Sequence, residues 1–459
     1  MEFYKIAKDL LGKGATYLDA RILEGKSELL GLENGKLSSS SISSPFAIGI
    51  RVLYNGSIGF ASTNSPQKVS RTAELAFKNA RLMARKKGEV KVEIEGGERK
   101  KYKIKRKLDP LEVDPEEKMR FLLEFDGLLK DRKVRSREIG LRSSRARFTF
   151  LDSQGGKIVG DEVSCSLRAR IVVKEGKQIQ QAIYRRGKTC GYELVEQFDV
   201  ERVAMELKRR AVRLLKAKHS PAGRFPVVCD NVLTGVFFHE AVGHACEADS
   251  LLENASIFKG MIGKQVASKE VTLLDNPLIE EEFGYYLYDD EGVRAREKVL
   301  IERGILKGLL HSRVTAWKMG SFPNGNARAE SPIFLPIPRM SNLVIKAEDY
   351  EFEELIEGIK FGIYAKGSLG GEVESTKGCF VFNAEEAFLI ERGKLSNPLK
   401  GVTLSGSTLE ILKRISAIGK DSRPCFLGGF CGKRNQVIGV GEVAPHIRID
   451  EVVVGGRAR

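Results

Sequence analysis

Phe237-Phe238-His239-Glu240-Ala241-Val242-Gly243-His244-Ala245-Cys246-Glu247-Ala248-Asp249 carries two of the chain's five histidines on a short helical run, with a glutamate directly after the first. Histidine is a common ligand for zinc and similar ions, and a carboxylate beside it can take a proton from water held by the ion. The familiar spacing, H-E-x-x-H, puts both histidines on one helical face. This chain has one residue more. On a regular helix, positions i and i+5 differ by about 140° in azimuth, against about 40° for i and i+4, so the imidazoles would diverge. A π-bulge, which closes an i to i+5 ring, would bring them back together. Gly243 stands where that distortion is wanted and tolerates it. Two unrelated histidines on a buried helix are the alternative reading.

The rest of the chain is long enough to support such a centre. Its 459 residues suffice for two or three domains, with 42% hydrophobic and 30% charged residues, as in ordinary globular proteins. No run approaches 18 uninterrupted apolar residues, so no membrane span is expected. The start, Met1-Glu2-Phe3-Tyr4-Lys5, lacks the basic-then-apolar order of a signal peptide, which predicts a cytoplasmic protein. Seven cysteines without regular spacing do not make a disulfide framework. The net charge of +15 raises the question of nucleic acid, but the basic residues are spread among 61 acids. The densest run, Arg99 to Lys107, interleaves Tyr102 and Ile104 with lysines and reads as a strand with one solvated face, so nucleic acid is disfavoured as a partner.

Turn signals organise the first half. A helical pattern from Phe3 to Leu11 leads into strand-like runs separated by Asn34-Gly35 and Asn55-Gly56, and a helix over about 66–84 closes the unit. Asp114-Pro115-Glu116-Glu117 then opens a helix to about Leu129, with proline in its first turn and acids at its positive end. Strands broken at Gly155-Gly156 and Glu175-Gly176 follow, and a helix from Asp199 to about Ala217 ends the second unit. The spacing from Gly35 to Gly56 equals that from Gly155 to Gly176, which suggests a duplication of helix, four-stranded meander and helix. The predicted fold is α+β: two helix and antiparallel-meander units (1–108 and 109–222), then a larger, mostly antiparallel β domain (223–459) carrying the His239 helix. The join near 88–113 is polar and reads as a linker. Further helical patterns lie at 234–253, 351–360 and 406–418.

A catalytic zinc takes three protein ligands and leaves a fourth position for water. The late candidates are Cys425, Cys431 and His446. Cys431 is favoured, because it sits in the glycine-flanked Leu427-Gly428-Gly429-Phe430-Cys431-Gly432-Lys433, with Lys433 near enough to promote thiolate. A His, His, Cys set is soft and suits zinc.

At these residues the chain resembles the TldD branch of the TldD/PmbA metallopeptidase family. The resemblance spans nearly the full length. It rests on His239-Glu240-Ala241-Val242-Gly243-His244, Asp289-Asp290-Glu291-Gly292, Pro338-Arg339-Met340-Ser341-Asn342, Gly370-Gly371-Glu372-Val373-Glu374, and Cys431-Gly432-Lys433 followed by Val440-Gly441. It implies that His239, His244 and Cys431 bind the metal and that Glu240 is the catalytic acid/base. One departure is Leu427-Gly428-Gly429, where the family commonly has Gly-Pro-Gly.

Other residues carry open readings. Asp289, Asp290 and Glu291 read as a solvated turn, as contacts behind the histidines, or as groups that bind a peptide's amino end; the resemblance moves them toward the substrate cleft. Arg339 reads as a carboxylate fork or a structural salt bridge. Glu247 and Asp249 read chiefly as cap and surface residues, with orientation of an imidazole as their other role. Cys246 is expected in the core, and His219 and His311 are not expected to be ligands. Ser321-Phe322-Pro323-Asn324-Gly325-Asn326 reads as a flexible loop, a lid if it borders the site.

The sequence thus predicts a zinc-type metallopeptidase, with iron as the other candidate ion. Extended peptides would pair with an open sheet edge. The resemblance implies small or unfolded peptide substrates and a dimer with a PmbA/TldE-type paralogue, a homodimer being the alternative. The rival function is a regulatory binding protein, of the DNA-gyrase-modulator type, with a structural metal.

Overall fold

Asn34 and Gly35 both adopt positive φ, as do Asn55 and Gly56, which is the conformation of a two-residue type I′ hairpin. These turns fold the first unit: α1 (Glu2–Gly12), β1 (Tyr17–Glu33), β2 (Lys36–Ser43), β3 (Phe46–Tyr54), β4 (Ser57–Thr63) and α2 (Val69–Ala84). The computed structural model describes residues 2–84, 96–425 and 429–455. The first part of the expected linker and the Leu427-Gly428 step lie outside them. The second unit comprises β5 (Arg99–Lys103), α3 (Pro115–Leu128), β6 (Val134–Asp152), β7 (Lys157–Glu175), β8 (Gln178–Lys188), α4 (Glu193–Glu196) and α5 (Val200–Lys216). Asp114 and Asp199 cap α3 and α5 by accepting hydrogen bonds from Glu116 N and Arg202 N.

The second meander has three long strands, where the turn spacing suggested four. β5, the basic run from Arg99, falls within the expected linker and before the expected boundary at 108, yet it pairs in parallel with β7 of the second unit, burying Tyr102. The two units share one sheet. β1 pairs antiparallel with β6 from Asp19 opposite Asp152 to Glu33 opposite Glu138, giving the order β4-β3-β1-β6-β7-β5, with β2 beside β1 and β8 beside β7. Strand side chains alternate between faces. Leu30, Leu32, Ile139, Leu141 and Leu167 point toward α3 and α5 and form a core with Leu122, Phe125 and Leu207. Helices α1 and α2 cover the β3 end of the sheet in the same way.

After β9 (Lys218–His219), β10 (Gly223–Cys229) leads into α6 (Asn231–Phe238). β10 belongs to a ten-stranded sheet, between strands Phe361–Lys366 and Ile447–Gly455. A six-stranded sheet contains Leu273–Asp275, Asn342–Ile345 and Gly441–Ala444. α6 packs between the two sheets. Phe237 and Phe238 share a core with Val227 and Ile363 of the larger sheet and with Leu343 and Ala444 of the smaller. Burial of each such ring contributes roughly 1.5–3 kcal/mol. Asp230 fixes the start of α6, accepting from Leu233 N at 2.9 Å and Gly367 N at 3.0 Å. The α+β class and the antiparallel β domain are as the sequence predicts. The later helices are shorter than their patterns. Phe352–Ile356 stops before Gly358, which takes positive φ, and Thr408–Lys413 yields to strand Ile415–Ile418, which pairs with Ile447–Ile449.

Candidate metal centre

Helix α6 does not continue regularly. Residues His239–Gly243 form a π turn, followed by a 3-10 turn over His244–Cys246. The widened turn returns the two imidazoles to one side, with ring centroids 5.3 Å apart and planes nearly perpendicular. Gly243 has ordinary helical angles, φ −59° and ψ −51°. Its role is therefore not the backbone freedom that the sequence suggests. A Cβ there would lie 2.0 Å from Met340 Sδ and 2.8 Å from Leu343 Cδ1, so glycine lets the turn press against that strand.

Cys431 reaches the site from a hairpin, Phe430–Lys433 paired with Gln436–Gly439. Its Sγ lies 3.3 Å from His244 Nε2, and one ligand atom each from His239, His244 and Cys431 fall within 4.8 Å of one another. The other late candidates are engaged elsewhere. The Cys425 thiol donates to Asn231 O at 3.0 Å, and His446 lies between Asp421 (2.6 Å) and the Tyr364 hydroxyl (2.8 Å). His311 stands apart from the cluster, its pKa lowered by burial to about 4, and Cys246 is buried in the core.

Each histidine has a carboxylate behind it. His244 Nδ1 is 2.9 Å from Glu247 Oε2. His239 Nδ1 lies 3.0 Å from Glu442 Oε1, close enough for an ion pair, although the contact lacks hydrogen-bond alignment. A carboxylate on one ring nitrogen fixes which nitrogen faces the metal and strengthens it as a donor. Glu247 is fully buried, so its contact with the imidazole, rather than capping or solvation, is its role. Lys433 Nζ contacts Glu247 at 3.0 Å and Asp249 at 2.7 Å, tying the Cys431 hairpin to the histidine segment.

The charges are interdependent. Burial would lower the His244 pKa, but Glu247 and the Cys431 thiolate outweigh it and raise it to about 10. Burial likewise opposes protonation of His239, whose pKa is nonetheless raised well above normal by Cys431 and Glu442. Burial would raise Cys431, yet the two imidazoles bring it down to about 5. The imidazoles therefore do what the sequence reading gave to Lys433. Burial also opposes charge on Glu247, but His244 and Lys433 hold it at about 2. Without an ion, the thiolate is balanced by ring protons.

The donor set fits zinc. In tetrahedral coordination, zinc bonds of about 2.0 Å to nitrogen and 2.3 Å to sulfur put those atoms about 3.5 Å apart, close to the 3.3 Å found between His244 and Cys431. Glu240 lies on the open side. Its side chain is 39% exposed, and its Oε2 is 3.9 Å from His244 Nε2.

Asp289, Asp290 and Glu291 make no direct contact with the three donors, whereas Arg339 reaches the main chain of Cys431. Asp289 is buried and accepts from Glu291 N, Val293 N and Ala327 N. Asp290 meets Arg21 of β1 at 3.4 Å, and Glu291 pairs with Arg51 of β3, which also holds Asp19. The solvated-turn reading therefore fails for Asp289 and Glu291. Their polar atoms are engaged in the turn and in docking the N-terminal sheet. Gly292 has positive φ and abuts Phe150, completing that joint. Arg339 is fully buried and forks main-chain oxygens rather than a carboxylate, donating to Cys431 O at 2.6 Å and Gln436 O at 3.5 Å. It thus braces the cysteine hairpin. The expected lid is pinned: Asn324 bonds Leu309 O and His311 N, and Asn326 bonds Asp275 and Arg339 O, although Phe322 is 81% exposed.

Sequence reasoning missed Glu442, which stands immediately after the Val440-Gly441 pair. The only signal was an acid flanking a glycine in an apolar strand.

Comparison with known proteins agrees across the chain. Family models match residues 18–80 as PmbA/TldA metallopeptidase domain 1, 108–215 as the central domain and 222–456 as the C-terminal domain. A protein named metalloprotease from Methanothermobacter thermautotrophicus is 41% identical over 96% of this chain and 95% of its own. A zinc metalloprotease TldD homolog from Saccharolobus solfataricus is 34% identical over 67% of this chain and 68% of its own. The crystal structure of TldE from Thermococcus kodakarensis superposes with a TM-score of 0.79 at 21% identity, covering 98% of this chain and all of that one, and so shares the fold. With all three family domains matched in order and a full-length relative at 41% identity, the chain belongs to the TldD/PmbA metallopeptidase family.

Proposed function

We propose that the chain is a metal-dependent peptidase in which His239, His244 and Cys431 hold the ion and Glu240 is the acid/base. The observation that carries this reading is the convergence of those three donors beside a carboxylate that remains partly exposed. A bound ion would supply the Lewis acidity that activates water and polarises a peptide carbonyl. Glu240 accepts the proton of the attacking water and returns it to the leaving amine. Glu247 and Glu442 keep the imidazoles oriented, and Arg339 and Lys433 keep the thiolate hairpin in place. Zinc suits the His, His, Cys set, and iron is the other ion it admits.

The substrate in this reading is a small or unfolded peptide. Strand Gly371–Glu374 ends the ten-stranded sheet and lies against the His239–Gly243 turn, so an extended peptide pairing with its free edge would run past Glu240. The partner is a PmbA/TldE-type paralogue, with a homodimer as the other arrangement. A structural zinc in a regulatory protein would want a fourth protein donor, whereas three converge among the described residues. No helix among the described residues is long and apolar enough to cross a membrane.

Cleavage of a peptide library with and without chelator tests the reading. Chelator-sensitive cleavage restored by zinc is expected, and chelator-resistant cleavage would refute it. Cys431→Ser should lower bound metal well below one ion per chain by elemental analysis; full occupancy would remove Cys431 from the ligand set.

A further inference from the structure

The N-terminal sheet covers one face with α3 and α5; the other docks on the C-terminal domain near Arg21 and Arg51, and beyond that joint it floors an open groove of about 640 Å³. Gly31, Gly140, Arg142, Arg168, Arg185 and Phe430 are among its lining residues. Three observations distinguish this face from an ordinary solvated one.

The first is unspent charge. Arg168 of β7 stands directly opposite Arg185 of β8, an arrangement of like charges that destabilises a sheet. Arg142, Arg168 and Arg185 have no hydrogen-bonded or ion-paired side-chain partner among the described residues. The nearby Glu138 is taken by Arg170 at 3.0 Å. Burial and the field of Arg168 press the Arg185 pKa down against the field of Glu385, which is itself paired with Arg210 at 3.1 Å.

The second is a bare floor. Gly31 and Gly140 face each other across β1 and β6. Glycine weakens a central strand, and at Gly140 no packing demands it, because a Cβ would meet nothing nearer than Leu30 O at 3.9 Å. At Gly31 a Cβ would meet Ser39 Oγ at 2.3 Å, so the open space lies over Gly140.

The third is continuity with the metal centre. Phe430 lines the groove and immediately precedes Cys431. Its ring meets Phe283 at 5.1 Å, and Phe283 packs over Gly187 of β8, so sheet and hairpin form one wall.

We propose that this groove is a specificity subsite for carboxylate-bearing peptides, in which Arg142, Arg168 and Arg185 hold side-chain or terminal carboxylates of a chain that continues to Cys431 and Glu240. The proposal rests on the peptidase reading for what happens next, but binding can be read without turnover.

The test uses full-length, zinc-loaded Glu240→Gln protein and the same protein carrying Arg168→Gln and Arg185→Gln. The probes are a fluorescent glutamate-rich octapeptide, its glutamine counterpart, and both with amidated C-termini. By anisotropy the glutamate peptide should bind on the order of tenfold tighter than the glutamine peptide, with a preference that fades in high salt. The arginine substitutions should erase that difference and leave the glutamine peptide unchanged. Amidation separates a terminal carboxylate from side-chain carboxylates as the group held. The melting temperature of the double variant should not fall, since a repulsive pair is removed; a clear fall would make the arginines structural and overturn the proposal. Equal binding of both peptides with or without the arginines would overturn it too, as would arginine-dependent preference for a single-stranded oligonucleotide. Arginine-dependent peptide binding in wild-type protein that cleaves none of these peptides would reject the peptidase reading and keep the subsite.

Discussion

The His239–Cys431 centre and the Asp289–Arg51 joint are both buried knots of charged residues, and both stand out in the sequence as dense polar blocks. In the joint, Asp289, Asp290 and Glu291 are answered by backbone N–H groups and by Arg21 and Arg51, so their charge is balanced within the protein. In the centre, two ring nitrogens and a thiolate face one another, with carboxylates behind the rings and a partly exposed one in front. Residue type does not separate a site from a joint. The separation lies in whether the charges are spent on the protein itself.

The sharpest way to break this contrast is Glu240→Gln. It should lower peptide hydrolysis by about 10²- to 10⁴-fold while bound metal stays constant; a variant that keeps its rate would dissolve the proposed chemistry. Glu291→Ala makes the opposite test. Arg51 would keep Asp19 but lose one of its two carboxylates, and the Arg313 N–H would lose its acceptor, which should cost about 1–3 kcal/mol of stability by denaturant titration, while the kcat of the folded fraction is kept; a selective loss of kcat would move Glu291 into the site. Glu247→Gln should weaken zinc binding about 10- to 100-fold in a competition assay with a chromophoric chelator, and unchanged affinity would reduce that contact to packing. The smallest effect is that of pH. Because His244 is raised to about 10 and His239 is raised as well, metal must displace ring protons at neutral pH. Zinc affinity should therefore climb as pH rises from neutral toward about 10, with proton release detectable in weak buffer. Cys431, held at about 5, adds pH dependence only near and below that value.

Much of this was legible in the sequence, for identifiable reasons. Asn-Gly turns, Asp caps and alternating strands depend on neighbouring residues, and they placed β1–β4, α3 and α5 well. The spacing of His239 and His244 demanded a distorted helix, and the π turn is there. Long-range pairing was not legible: β1 against β6 joins segments more than a hundred residues apart, and nothing local announces that the two units make one sheet. The partners of acids were hidden for the same reason. Glu247 and Asp289 look equally solvated in one dimension, and only the fold shows the first against an imidazole and the second inside a turn. Gly243 was assigned to the right place for the wrong cause, because Met340 lies about a hundred residues away in sequence.

The π turn also bears on how such a centre can change. A regular helix and one with a π turn differ by a whole residue, and no substitution of one side chain for another interconverts them. Losing one residue between His239 and His244 would restore the common spacing, but it would also swing everything after the gap by about 100°. His244 and Glu247 would then turn away from a hairpin that Arg339 holds in place from the other side, and Lys433 would lose Glu247. The two spacings are thus separated by a step in chain length that must be matched at once by the distant cysteine, which keeps this kind of site apart from its shorter counterpart.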